Sequence, residues 1–362
     1  MKYAVIMAGG TGKRLWPLSR RKRPKQVLKL FDGETLLRRC FDRLTPIFDA
    51  DKIIVLTNAA YVDVVCENLP ELPGENVIAE PAVRDTAGAI GLVSAVLSKL
   101  DPDATMAVVT ADQIIEPVEV LQEALKDALE FAEANQQALV TFGIKPTFPS
   151  TMLGYIKCIN PESIPGCTND VYKVERFAEK PDEATATEYV SSGQYFWNSG
   201  MFVWKAQTML ANLQEFLPDA TEPLAKIRDA WGAESQQSVL EEWFVKLPKI
   251  SIDYAVMEKS QEVHAIELDC RWLDLGAFTA LAEIMGADGS KNVVAADTTE
   301  LLDCAGSIVV TEDKGHLVAA IGVENLVIAH SPDATLICPA DKTERLKELI
   351  DLIEKHGGER FL

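Results

Sequence analysis

The chain has 362 residues and carries 35 Lys and Arg against 55 Asp and Glu, a net charge of −20 that speaks against general nucleic-acid binding. Hydrophobic residues at 48% and charged residues at 25% are ordinary for a globular protein, with length enough for one large domain plus a small one, or two of medium size. No apolar run reaches about 18 residues and the N-terminus enters a strand at once, so neither a membrane span nor a signal peptide is expected, and the chain reads as cytoplasmic.

Tyr3 to Met7 is a short apolar run of the kind that forms a buried parallel strand, and it leads into Gly9, Gly10 and Gly12. Glycines there let backbone N–H groups approach phosphate oxygens closely. A triphosphatase P-loop would need Ser or Thr after Lys13 and a glycine at position 7, where Arg14 and Met7 stand; a dinucleotide fingerprint would need glycine at Leu15. Lys13, Arg14, Arg20, Arg21, Lys22, Arg23 and Lys25 crowd ahead of the first acid, Asp32. In so acidic a chain such a cluster suits a local polyanion, a triphosphate for example. Arg20 to Arg23 alone would more often form a solvated turn, or mimic an import or RNA patch, whereas a glycine loop and the Pro24 turn fix Arg14 and Lys25.

The pattern GGxGxRLWPLSR followed by PKQ resembles the signature of the sugar-nucleotide pyrophosphorylases, and its WPLSR and PKQ spelling is similar to the mannose-1-phosphate guanylyltransferases. The resemblance implies Arg14 and Lys25 as catalytic cations, and Ala8, Gly9, Gly10 and Gly12 as nucleotide-binding positions.

Further along, Thr35 to Leu44 patterns as a helix, 52–58 as a strand, Ala59 to Leu69 as a helix, Asn76 to Ala79 as a strand and Ala87 to Leu100 as a small-residue helix. A strand ending in Thr110-Ala111-Asp112 follows, then the helical stripe Val120 to Ala132 and a strand at 138–144. This alternation predicts an α/β fold with an open, mostly parallel Rossmann-like sheet (a GT-A-like nucleotidyltransferase) and ligands at the carboxyl ends of the strands. The segment Glu80 to Ala87 lies between strand and helix on the same rim. It is similar to the family's EPxxRxTA segment, which implies Glu80, Arg84 and Thr86 beside the base; a plain capped helix start is the other reading. Asp112 ends its strand where a carboxylate reaches a metal on triphosphate oxygens. The family usually has histidine next, and here it is Gln113.

From about Pro146 the loops lengthen. Gly154-Tyr155-Ile156, Glu179-Lys180-Pro181 and 197–202 (WNSGMF) resemble the family's GYI, EKP and WNSGMF motifs, implying Gly154, Tyr155, Glu179, Lys180 and Asn198 on the sugar phosphate. Glu179 offers two acceptors for hydroxyls, Lys180 a point charge, and Asn198 a donor and an acceptor. Residues 251–258 (SIDYAVME) and 272–276 (WLDLG) complete the set, with Asp274 as second metal ligand.

Beyond about Gly286 four brief strands, SIVVT, HLVAAI, NLVIAH and ATLIC, predict a small β domain at 286–362 after a catalytic domain at 1–285. The resemblance implies a short left-handed β-helix there, although no clean six-residue repeat is visible; Thr343 to Lys355 patterns as a closing helix. A homodimer through this domain is left open, and the chain has no room for the isomerase domain that some relatives carry. Seven cysteines without a CxxC pair read as reduced thiols. Histidines 264, 316, 330 and 356 form no cluster along the chain, which argues against a structural zinc site.

The resemblance implies Mg2+-dependent transfer of GMP from GTP to α-D-mannose 1-phosphate, giving GDP-mannose and pyrophosphate, with neither nucleic acid nor membrane as partner. A phosphomonoester with a second pKa of about 6 is already a nucleophile near neutral pH and needs no general base. The alternatives are another pair, such as UTP or dTTP with glucose 1-phosphate, and a non-catalytic nucleotide- or RNA-binding protein.

Overall fold

A computed structural model describes residues 1–10, 12–29 and 33–362. Strands β1 (Lys2–Met7), β2 (Ile53–Asn58), β3 (Val77–Glu80) and β4 (Thr105–Thr110) follow the expected alternation, and β5 (Gln113–Glu116) continues directly from β4. Then come β6 (Leu139–Ile144), β7 (Tyr155–Ser163), β8 (Asp170–Ala178), β9 (Tyr195–Lys205) and β10 (Val263–Leu268). The main sheet runs β3-β2-β1-β4-β9-β6-β10-β8-β7. Seven of its nine strands point one way, and only β8 and β9 are reversed.

Alternation along β1 explains the layering. Ala4 and Ile6 face one core, while Tyr3 and Val5 face another across the sheet. Under the second face lies the helix Asp85–Leu100, buried nearly all round. Its small residues permit close approach: a Cβ at Gly91 would stand 3.0 Å from Leu224 Cδ1.

Strand β11 (Arg271–Asp274) pairs antiparallel with β5, placing Asp274 across from Gln113. The C-terminal part contains β12 (Val293–Ala295), β13 (Thr298–Leu302), β14 (Ile308–Thr311), β15 (Leu317–Ile321), β16 (Leu326–Ser331) and β17 (Ala334–Pro339). Strands β12, β14 and β16 stack in parallel register, as do β13 and β15, so successive rungs lie over one another with β17 closing the stack antiparallel. Two rungs, β12 and β13, are not visible as strands in the sequence; β13 buries no alternate residue fully and so carries no apolar run.

A third core joins the two parts. Leu15, Trp16, Leu18 and Leu28 from the stretch after the glycine loop pack with Phe278, Val310, Val327 and Ile350. The WPLSR stretch is thus a wedge between the main sheet and the β stack. All seven cysteines are free thiols. Among the described residues no helix is long and apolar enough to cross a membrane.

Candidate active site

The glycine loop is shaped by what lies against it. Gly12 has φ of 66°, and a Cβ there would stand 2.8 Å from Lys25 Cβ, so the loop closes directly on the lysine. A Cβ on Gly10 would meet Gln26 Nε2 at 3.2 Å, and one on Gly9 would meet Glu80 Oε2 at 3.1 Å. Gln26 is buried with Oε1 unpartnered, and sequence reasoning gave it no role beyond its place in PKQ. Ala8 differs from the expectation: its N–H donates to Leu56 O and its carbonyl accepts from Thr57 Oγ1, so its backbone extends the sheet and is not free for phosphate.

The basic cluster divides, which corrects its reading as one polyanion site. Arg20 donates to Phe361 O and Ser331 Oγ and pairs with Asp333 at 2.5 Å; Arg21 pairs with Glu354 at 2.7 Å and Arg23 with Glu312. These arginines lie on an exposed turn, as the alternative reading of Arg20 to Arg23 expected, and their ion pairs join the wedge to the C-terminal part. Only Arg14 and Lys25 remain at the cleft. Arg14 lines it beside Asp274 and Lys180, with no hydrogen bond or ion pair among the described residues.

Lys25 Nζ lies 2.5 Å from Asp112 Oδ2 and donates to Leu275 O at 3.1 Å. Burial favours its neutral form, but Asp112 and Asp274 outweigh that and raise its pKa. Asp112 and Asp274 stand on neighbouring strand ends, tied by Leu275 N donating to Asp112 O at 3.1 Å. Burial first, then the charge of Asp112, pushes Asp274 up to about 6, against the pull of Lys25 and Arg14. Two neighbouring carboxylates, served by one close cation, form an oxygen donor set suited to a hard divalent ion. Thr110 Oγ1 and Gln113 Oε1, on the same wall, have no hydrogen-bond partner among the described residues. Gln113, in the position expected for histidine, donates from Nε2 to Ser199 O at 2.5 Å and receives Arg43 Nη2 on its own carbonyl at 2.8 Å. It braces the strand end beneath Asp112.

Across the cleft, Gly154 lies directly against the Glu179 carboxylate, so that a Cβ there would force Glu179 Oε2 to move. Glu179 pairs with Lys180, whose backbone has φ of 47°. Asn198 accepts from Thr141 Oγ1 at 2.8 Å and donates to Asp253 Oδ1 at 3.0 Å, leaving one amide N–H unassigned. Asp253, buried and near Glu179, is pushed up to about 6 by burial first and by the Glu179 charge second. Sequence reasoning placed Asp253 in a family segment without giving it a role; its i, i+4 relation to Met257 and an apolar run hid it as one face of a turn.

Two expected residues are turned elsewhere. Tyr155 is fully buried, its hydroxyl accepting from Ser150 N at 2.9 Å and donating to Ser150 O at 3.0 Å, so its side chain fixes the preceding loop and does not face sugar. Arg84 donates to Val245 O and packs against Gly88, directing its guanidinium along the helix flank and not to a base. Thr86 does line the cleft, but its hydroxyl accepts from Ile252 N at 2.8 Å and so anchors the Asp253 segment.

The sugar-side cavity is about 300 Å³ and merges with a larger one reaching Arg14 and the 340–344 segment; the two share Met152, Leu153, Lys180, Trp272 and Asp274. The carboxylate pair therefore lies where the halves meet. An open α/β sheet with such a cleft at its strand ends is the architecture of enzymes that handle nucleotides. The chain belongs to the nucleotidyl transferase family, whose model matches residues 3–291; residues 291–352 match the MannoseP isomerase/GMP-like beta-helix domain. It is 37% identical over 359 residues to a mannose-1-phosphate guanylyltransferase of Escherichia coli, covering 98% of this chain and 74% of that protein. A Klebsiella pneumoniae protein of the same name is 36% identical over 364 residues, covering 100% and 76%. A crystal structure described as mannose-1-phosphate geranyltransferase from Thermus thermophilus matches with a TM-score of 0.86 at 36% identity, over 98% of this chain and 99% of that one.

Proposed function

We propose that the chain transfers GMP from GTP to α-D-mannose 1-phosphate, forming GDP-mannose and pyrophosphate, with Mg2+ held by Asp112 and Asp274. The observation that carries this reading is the adjacent carboxylate pair lining the cleft, with Lys25 and Arg14 beside it, at the junction of the glycine loop and the Glu179–Asn198 cavity. The ion would neutralise phosphate charge on both substrates. Arg14 and Lys25 orient the triphosphate and stabilise charge as the α-phosphorus is attacked. Lys180 and the remaining Asn198 N–H hold the sugar phosphate for in-line approach. The catalytic part is taken as 1–285 and the small domain as 286–362. The free cysteines support a cytoplasmic enzyme.

Base choice is assigned to Glu80. Guanine presents N1–H and its 2-amino group as adjacent donors, which an ionised carboxylate accepts as a pair; adenine presents no such pair. Burial raises Glu80 to about 7. Below that pH the folded protein holds it protonated, and an O–H then opposes guanine N1–H, so preference for GTP should sharpen as pH rises through about 7. The test is pyrophosphate release from a panel of GTP, ATP, UTP and dTTP, each with mannose 1-phosphate and glucose 1-phosphate. Glu80→Gln is expected to cut the GTP-over-ATP preference by about 1–3 kcal/mol and to flatten its pH dependence. A wild-type preference for UTP or dTTP with glucose 1-phosphate would replace this reading with the neighbouring activity, and no release from any pair would end it.

Glu179→Ala and Asn198→Ala are expected to weaken mannose 1-phosphate far more than GTP in calorimetric titration. Each loses a group aimed at hydroxyls, worth about 1–3 kcal/mol when its partner is left unpaired. Loss of GTP affinity with the sugar phosphate retained would mean that the halves are reversed.

A further inference from the structure

The histidines that are scattered in sequence do not stay apart. Strand β14 lies in parallel register on β16, with Thr311 across from His330. The chain then turns sharply: Asp313 Oδ1 accepts from Gly315 N at 3.0 Å, and His316 N donates to Asp313 O at 3.2 Å. That turn folds His316 back over His330, so their rings stack with centroids 3.6 Å apart and planes 11° apart. Donor atoms of Asp313, His316 and His330 all lie within 4.8 Å of one another. This corrects the expectation that the histidines form no cluster.

The geometry points to a transition-metal site in the C-terminal domain, made by Asp313, His316 and His330 and taking Zn2+. Two imidazoles and one carboxylate favour a borderline ion over Mg2+, and a fourth position is left for water. Donors around zinc stand about 3.4 Å apart for bonds near 2.0–2.1 Å, so closing the cluster needs shifts of only about an ångström. In the stack the ring planes run nearly parallel, and each ring must turn for its lone pair to converge. The His316 ring has no hydrogen bond among the described residues that would oppose this. His330 Nδ1 lies 3.0 Å from Thr335 Oγ1, the kind of outer contact that fixes a ligand imidazole and leaves Nε2 for the metal.

The site shares no lining residue with the sugar-side cavity, so it is separate from the carboxylate pair. It has a structural consequence at the seam. Glu312, next to Asp313, pairs with Arg23 and accepts from Lys29 N at 2.9 Å. An ion fixing the 313–316 turn would thereby firm the contact between the β stack and the segment that follows the glycine loop.

The experiment uses the full chain without an affinity tag, stripped with chelator and then held in saturating Mg2+ to occupy Asp112 and Asp274. One equivalent of Zn2+ is expected to remain after desalting and to raise the unfolding temperature, and Co2+ is expected to give visible d–d bands of a four- or five-coordinate ion. His316→Gln and His330→Gln should each abolish the retained zinc and the bands, and Thr335→Val should weaken binding by about 10–100-fold. Wild-type protein that retains no zinc and gives no cobalt bands would overturn the site, as would both histidine variants keeping full stoichiometry. Should either variant fail to fold, the cobalt spectrum of the wild-type chain decides.

Discussion

Asp112→Asn and Asp274→Asn are each expected to lower turnover by about 10³-fold, equivalent to about 4 kcal/mol, with the fold intact. Asparagine keeps the shape and removes the charge, so what is lost is the ability to hold a divalent ion between two polyanions. The pair is built for this by topology: Asp112 follows the end of β4, Asp274 ends β11, and Leu275 N clamps one to the other. Stability should move the other way in Asp274→Asn. Its folded pKa of about 6 lies above the ordinary carboxylate range, so this group stabilises the fold while protonated and loses that contribution as pH rises through about 6. At neutral pH the asparagine variant, freed of a charge facing Asp112, should melt slightly higher than the wild type. Turnover is followed by pyrophosphate release over a Mg2+ titration, with chelator reproducing the variants. Wild-type turnover by either variant at saturating Mg2+ would remove the pair from the reaction.

Much of the sheet was legible because strands such as β1 and β2 are continuous apolar runs bounded by glycine or helix starts, and local pattern is enough to mark them. Direction was less so. Strand β9 enters between β4 and β6 reversed, and nothing in its own residues distinguishes that from parallel insertion. The site shows the same division. Resemblance of short motifs to a known family picked out Glu179, Asn198, Asp112 and Asp274, and all four line one cleft. Partnership was not legible: the glycine loop and the Pro24 turn set Arg14 and Lys25 apart from Arg20 to Arg23, but nothing in the sequence pointed to Asp333, Glu354 and Glu312 as the partners of the latter. His316 and His330 were hidden for the same reason, since stacking of β14 on β16 is what makes them neighbours. Tyr155 shows the converse, a motif residue whose hydroxyl is satisfied within the core.

Lys25→Met is expected to bind Mg2+ about tenfold more tightly in the absence of nucleotide and yet to turn over about 10²-fold more slowly. The ammonium lies 2.5 Å from Asp112 Oδ2, which is where a cation would have to bind. A divalent ion and an ammonium cannot share that carboxylate cheaply: at about 4 Å and an effective dielectric of about 20 they repel by about 8 kcal/mol. A bound ion would therefore displace the lysine. Its stem is held against Gly12, so the freed ammonium stays beside the glycine loop, where the triphosphate would lie. The same residue would thus compete with the ion for Asp112 and serve the phosphoryl group. Methionine retains the stem and removes both roles, which predicts opposite changes in metal affinity and rate. Calorimetry should be done at about pH 8, well above the value near 6 for Asp274, so that loss of the lysine does not protonate that group and mask the effect. Weaker Mg2+ binding there would show that Lys25 shapes the pair and does not compete for it, and an unchanged rate would show that its charge is not used at the transferring phosphorus.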